Sequence, residues 1–189
     1  MIDETFFHSL SNLALQEAPY PDPRFPPSPY YRFLRLLAAS LYPNLSVELG
    51  VCGGGGSLHL ARGAPGKRVV GVDIGKEYAS QIDWILQNYS NFTFWTGDSV
   101  TSAPEIYQSF GPVGILFIDT VHTYERTLEE YEAWKPYLDV SHVVCFDDLF
   151  RPGMSQAWRE LPGPKLRMDE LHEQCEDGGG FGVIWQTGK

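Results

Sequence analysis

The apolar positions change period repeatedly along the chain, and each change outlines an element. Tyr30, Phe33, Leu34, Leu37 and Leu41 recur at helical spacing. Residues 46–50 (SVELG) then read as a short strand running into a glycine cluster, and 57–62 resume as a helix. Residues 68–73 (RVVGVD) form a second apolar strand, and Tyr78, Ile82, Ile85, Leu86 and Tyr89 mark the helix after it. A third strand at 91–95 and a short helix at 104–110 follow. Residues 113–119 (VGILFID) show no polar alternation, as expected of a strand covered on both faces. Tyr124, Leu128, Tyr131 and Trp134 trace a helix that Pro136 helps to end. A fifth strand is expected at 142–147 (HVVCFD), a short helix at 152–161, and two last strands at 164–168 and 181–186, with glycines 178–180 turning the chain before the second.

Strands alternating with helical stretches build βαβ units around a mainly parallel sheet, which predicts a doubly wound α/β domain. Residues 1–29 stand apart. Pro19, Pro21, Pro23, Pro26, Pro27 and Pro29 are incompatible with a helix interior or a central strand. The expectation is an extended N-terminal arm over 1–29, lying on the domain or on a partner subunit of a homo-oligomer, and a single domain over 30–189. Phe6, Phe7, Tyr30 and Tyr31 are apolar surface for either role.

The length of 189 residues suits one domain. Net charge is −10, with 14 Lys and Arg against 24 Asp and Glu. That balance argues against nucleic acid, whose affinity rests on cationic phosphate contacts, and against an anionic membrane surface. No apolar run is long enough to span a bilayer. The first residues, MIDETFFHSL, lack the layout of a signal peptide, so a cytoplasmic location is expected. Cys52, Cys145 and Cys175 form no metal pattern and are expected as reduced thiols. The Asn-x-Ser/Thr triplets at Asn44, Asn88 and Asn91 are then chance matches.

Ligands of such sheets sit beyond the carboxyl ends of the strands, and acids collect there: Glu48, Asp73, Asp98, Asp119, Asp147 and Asp148. Each taken alone is a good helix cap. The segment between the first strand and its helix contains Gly50, Gly53 and Gly54, which let main chain approach a ligand closely. It matches neither the dinucleotide pattern GxGxxG nor the phosphate loop GxxxxGK[ST]. Glu48 beside this loop suits a cationic ligand part rather than a phosphate. Asp73 lies 23 residues beyond Gly50, one βαβ step, and a carboxylate there can accept both hydroxyls of a ribose.

These residues carry a resemblance. VELGVCGGGGS, VVGVDI, TGDS, ILFIDTVHTYERTLEEYEAWKPYL and HVVCFDDL resemble a class I S-adenosylmethionine-dependent methyltransferase over roughly residues 46–150. The FIDTVHTYE segment followed by FDD is most similar to a small branch that includes metal-dependent sugar and phenol O-methyltransferases. The resemblance implies a Rossmann-like, seven-stranded, three-layer α/β/α fold with a reversed last strand. It implies S-adenosylmethionine as cofactor. Glu48 and Gly50 would face its methionine part, Asp73 its ribose, and Asp98 and Ser99 its adenine, whereas Trp95 is expected in the core.

Asp119, Asp147 and Asp148 end neighbouring strands about 4.8 Å apart, so their carboxylates can converge. Unpaired, they would raise at least one pKa. A divalent cation relieves that cost, and oxygen donors suit Mg²⁺, or alternatively Mn²⁺ or Ca²⁺. The plainer reading is helix caps plus a salt bridge to Arg151. A cation would activate a small-molecule hydroxyl, and His122, three residues beyond Asp119, is the candidate base. The expected function is therefore O-methylation of a sugar- or phenol-like acceptor. The rivals are a degenerate binding or assembly subunit and a nucleotide-dependent oxidoreductase. Glu129, Glu130 and Glu132 read as a solvated helix face, and His59 as packing or surface.

Overall fold

The computed structural model describes residues 2–171 and 179–188. His172, Cys175 and the first glycine of the 178–180 turn lie outside the described residues. Among the described residues there are seven α-helices and seven strands, and from residue 29 onward they follow the expected alternation. They are α1 Glu4–Gln16, α2 Pro29–Leu41, β1 Leu45–Leu49, α3 Gly55–Gly63, β2 Arg68–Asp73, α4 Ala79–Asn88 and β3 Phe92–Thr96. Then come α5 Ala103–Phe110, β4 Val113–Ile118, α6 Tyr124–Trp134, β5 Leu138–Phe146, α7 Pro152–Glu160, β6 Lys165–Arg167 and β7 Gly182–Gln186.

The strands form one sheet in the order β3-β2-β1-β4-β5-β7-β6. The pairs among β1 to β5 are parallel, and β7 runs antiparallel to both β5 and β6. Because neighbouring side chains on a strand point to opposite faces, the strands divide their apolar residues between two cores. Val69, Ile115, Phe117, Val143 and Cys145 pack with Phe33, Leu58 and Ile82 from the helices on one side. Val70, Leu116, Ile118, Val144 and Phe146 pack with Ile106, Trp134 and Trp158 on the other. This is the expected three-layer arrangement with a reversed last strand.

The N-terminal expectation needs correction. Residues 4–16 are helical and amphipathic rather than extended. Asp3 caps the helix, its carboxylate accepting the Phe6 amide at 3.0 Å. Phe7, Leu10 and Ala14 are buried, and the Phe7 ring lies 4.9 Å from that of Trp185. Every proline of the segment lies beyond residue 18, so the proline argument holds only for the stretch between α1 and α2. That stretch crosses back over the domain, placing Phe25 in the core.

The order of strands reverses between β1 and β4. The loops after β1 and β4 leave in opposite directions there and open a crevice beyond the carboxyl edge.

Candidate active site

A cleft of about 470 Å³ occupies this crevice. Gly50, Asp73, Ser99, Asp119, His122 and Asp147 border it, so residues from the loops after five strands meet at one place. Strain concentrates around it. Of the four non-glycine residues with positive φ among the described residues, Cys52, His122 and Asp148 lie in loops at this edge.

The glycine loop is held by the two acids that flank it. Asp73 Oδ2 accepts the amides of Val51 at 2.9 Å and Cys52 at 3.1 Å. Its Oδ1 has only the longer contact from the Gly75 amide at 3.4 Å. Gly50 has φ +84°, and a Cβ there would stand 2.1 Å from the Asp119 carbonyl oxygen. Main chain thus packs against main chain there, with no room for a side chain. Glu48 sits behind the loop, outside the cleft lining and 1% exposed. Its Oε2 accepts the Ser57 amide at 2.7 Å and the Ser57 hydroxyl, and a Cβ at residue 56 would strike its Oε1. Burial pushes its pKa up to about 8, the Ser57 hydrogen bonds opposing. Gly53 and Gly54 also lie outside the lining; Gly54 makes the turn itself, with φ +81°.

Behind Ser99, Thr120 and Arg126, which border the cleft, lies an ionic network whose acids, Asp98 and Glu130, are outside the lining. Asp98 Oδ1 accepts the amides of Val100 and Thr101 at 3.0 Å each, and its Oδ2 pairs with Arg126. The Thr101 amide is the main reason its pKa falls below the usual carboxylate range. Arg126 borders the cleft and also bonds the Ser99 hydroxyl at 2.7 Å. The expectation that Glu130 is solvated is corrected: it is wholly buried. It accepts from Ser99, from Thr120 at 2.9 Å and from Arg126 at 3.2 Å. Burial raises its pKa. Glu129 and Glu132 remain on the exposed face. Trp95 packs into the core beside Phe110, as expected.

At the acidic end, Asp119 Oδ1 lies 3.0 Å from His122 Nε2, and Asp148 Oδ2 lies 3.3 Å from His122 Nδ1. Asp148 also takes Arg151 Nε at 2.6 Å, which matches the salt-bridge reading for that residue. Asp147 turns inward. Its Oδ1 is buried with no hydrogen-bond partner, and its pKa stands well above the carboxylate range because of burial first and Asp119 second. Burial raises Asp119 likewise, against the pull of His122. Donor atoms of Asp119, His122 and Asp147 lie within 4.8 Å of one another. The grouping therefore differs from the expected trio, with His122 in and Asp148 turned aside.

Sequence reasoning missed Tyr30, Tyr31, Thr120 and Arg126 as cleft residues. The first two belong to the opening turn of α2, far from any motif. Arg126 carries a signal in hindsight: a lone cation in an acidic helix, four residues before Glu130.

A family model described as a methyltransferase domain matches residues 47–149. No curated protein matches significantly. The O-methyltransferase from Bacillus cereus, solved with SAH, superposes with TM-score 0.69 at 17% identity, covering 99% of this chain and 93% of that one. TomG from Streptomyces achromogenes, an O-methyltransferase of tomaymycin synthesis solved with SAM, gives 0.68 at 17%, covering 99% and 92%. Cofactor-bound Rv0187 from MTB gives 0.68 at 20%, covering 98% and 89%. The fold and the match over more than half of the chain define the class: a Rossmann-like class I S-adenosylmethionine-dependent methyltransferase. The protein belongs to the methyltransferase-domain family whose model spans the glycine loop, Asp73 and the acidic cluster.

Proposed function

We propose that the protein moves the methyl group of S-adenosylmethionine onto a hydroxyl of a small sugar- or phenol-like molecule, assisted by a divalent cation, in a cytoplasmic setting. One observation carries this reading. A single cleft joins a carboxylate tied to bare main chain, Asp73, to a pair of crowded carboxylates, the half-buried Asp119 and the buried Asp147.

The residues fit both groups. Asp73 Oδ1 faces the demands of a ribose diol while Oδ2 keeps the loop in place. Ser99 and the backbone at Gly50 border the same space. Asp119 and Asp147 would hold Mg²⁺, Mn²⁺ or Ca²⁺, and the unpartnered Asp147 Oδ1 supports that role. Bound in the cleft, S-adenosylmethionine supplies an electrophilic methyl carbon, and the cation lowers the pKa of a coordinated hydroxyl.

His122 then takes the hydroxyl proton. Asp119 and Asp148 flank its two nitrogens, so the ring orientation is set from both sides. A neutral imidazole donates to only one of them, and both contacts become hydrogen bonds once the ring is protonated. The carboxylates thereby stabilise the imidazolium that proton transfer creates. Tyr30 and Tyr31 close the side of the cleft above this group.

Calorimetric titration of S-adenosylhomocysteine into the protein tests the reading, with binding expected. No heat at millimolar ligand would remove the cofactor assignment.

A further inference from the structure

A second cavity, of about 240 Å³, lies between the connection from α1 to α2 and the helices α2 and α3. It is lined by Arg32, Arg35 and Arg62 together with His59, Tyr20 and Glu17. In a chain of net charge −10, three guanidiniums around one small cavity run against the overall field.

Each is held in place, so the charges cannot spread. Arg32 donates to the Ala14 and Pro27 carbonyls at 2.7 Å each. Arg35 pairs with Glu17, the one carboxylate in the lining. Arg62 lies with its guanidinium carbon 4.1 Å from the Tyr20 ring centre and also hydrogen-bonds the Tyr89 side chain, and a guanidinium's five N–H groups leave others for a further acceptor. No carboxylate pairs with Arg62 among the described residues.

The three fields add at one sensor. His59 is buried, with Nδ1 donating to the Gly55 carbonyl at 2.8 Å. Its pKa is lowered to about 4, chiefly by burial, with Arg62, Arg35 and Arg32 each pushing the same way against the Gly55 bond. The imidazole is therefore neutral, and its remaining nitrogen accepts.

We propose that this cavity binds a small oxyanion, a phosphate or carboxylate group, between the guanidiniums of Arg35 and Arg62. Planar N–H edges suit such groups, and the site lies apart from the acidic catalytic cleft, which would repel them. His59 stacks on Tyr31, ring centres 5.5 Å apart, and Tyr31 borders that cleft, so the two sites share a wall.

The test follows the His59 ring by NMR while inorganic phosphate, pyrophosphate or acetate is added to the full-length protein. Phosphate should move the ring signals saturably, and an equal response to acetate would assign the site to carboxylates instead. Arg62→Gln should raise the dissociation constant about tenfold, the loss of one charge-assisted hydrogen bond, with S-adenosylhomocysteine binding unchanged. Arg35→Gln serves as the second variant if Arg62→Gln loses that binding. Absence of any His59 response at about 10 mM phosphate, or an identical response in both variants, overturns the proposal.

Discussion

Asp73 Oδ2 accepts the Val51 amide at 2.9 Å, so a carboxylate at the end of β2 fixes the loop that follows β1. The same side chain is the proposed ribose acceptor, which gives it two separable jobs. Asp73→Asn keeps an oxygen for Val51 and Cys52 but loses the charge, and should weaken S-adenosylhomocysteine binding about tenfold. Asp73→Ala loses both and should cost about a hundredfold. Glu105→Ala, on an exposed helix face, is the control. Calorimetry giving equal affinity for all three proteins would dismiss the ribose assignment.

Glu130 binds the loops after β3 and β4 to α6 through Ser99, Thr120 and Arg126. Its truncation leaves Arg126 beside the cleft short of a buried counter-charge. Glu130→Ala should lower unfolding free energy by about 3 kcal/mol in a urea titration. Glu130→Gln, which keeps the acceptor for Ser99 or Thr120, should cost less than half of that. Similar losses for both would mean that the negative charge facing Arg126, rather than shape or the acceptor for Ser99 or Thr120, matters there.

Two buried groups set opposite pH limits. His59 has a folded pKa of about 4 against 6.5. The unfolded chain therefore takes up the proton first, and stability is lost as pH falls from 6.5 towards 4, by up to about 3 kcal/mol. Glu48 has a folded pKa of about 8 against 4.5. The folded state keeps the proton longer, so stability falls as pH rises from 4.5 to 8 and then levels. Thermal melts across pH 4 to 9 should show His59→Gln flattening the acid limb and Glu48→Gln the alkaline one. A variant that leaves its own limb unchanged would show that its side chain does not titrate between these limits.

Cation binding should depend on Asp119 and Asp147 but not on Asp148, whose carboxylate is taken by His122 and Arg151. Mn²⁺ should raise the melting temperature of the wild type. Asp147→Asn should abolish that rise, and Asp148→Asn should keep most of it. A larger loss in Asp148→Asn would restore the trio expected from the sequence.

His122→Gln distinguishes base from ligand. As the base, its loss should lower kcat by about 10²–10⁴-fold while Mn²⁺ still stabilises the protein. If stabilisation by Mn²⁺ disappears with the imidazole, His122 is a donor to the ion instead.

The local pattern of the chain was enough to place every strand and most helices, because apolar periodicity records which faces are covered. It also located Asp73, Asp119, Asp147 and His122, since strand-end acids are conspicuous beside β-branched runs. The α1 helix escaped it because neighbouring prolines outweighed a good cap at Asp3 and the spacing of Phe7, Leu10 and Ala14. Only the folded chain decided the rest. Glu130 looks like one acid among several on a polar helix, yet packing against the β3 and β4 loops removes it from water. Tyr30 and Tyr31 reach the cleft because α2 crosses over α3, a contact between distant segments that no local spacing encodes. Which of two adjacent aspartates turns inward was likewise settled by tertiary surroundings: Asp148 has His122 and Arg151 to meet, and Asp147 is buried with its Oδ1 left without a hydrogen-bond partner.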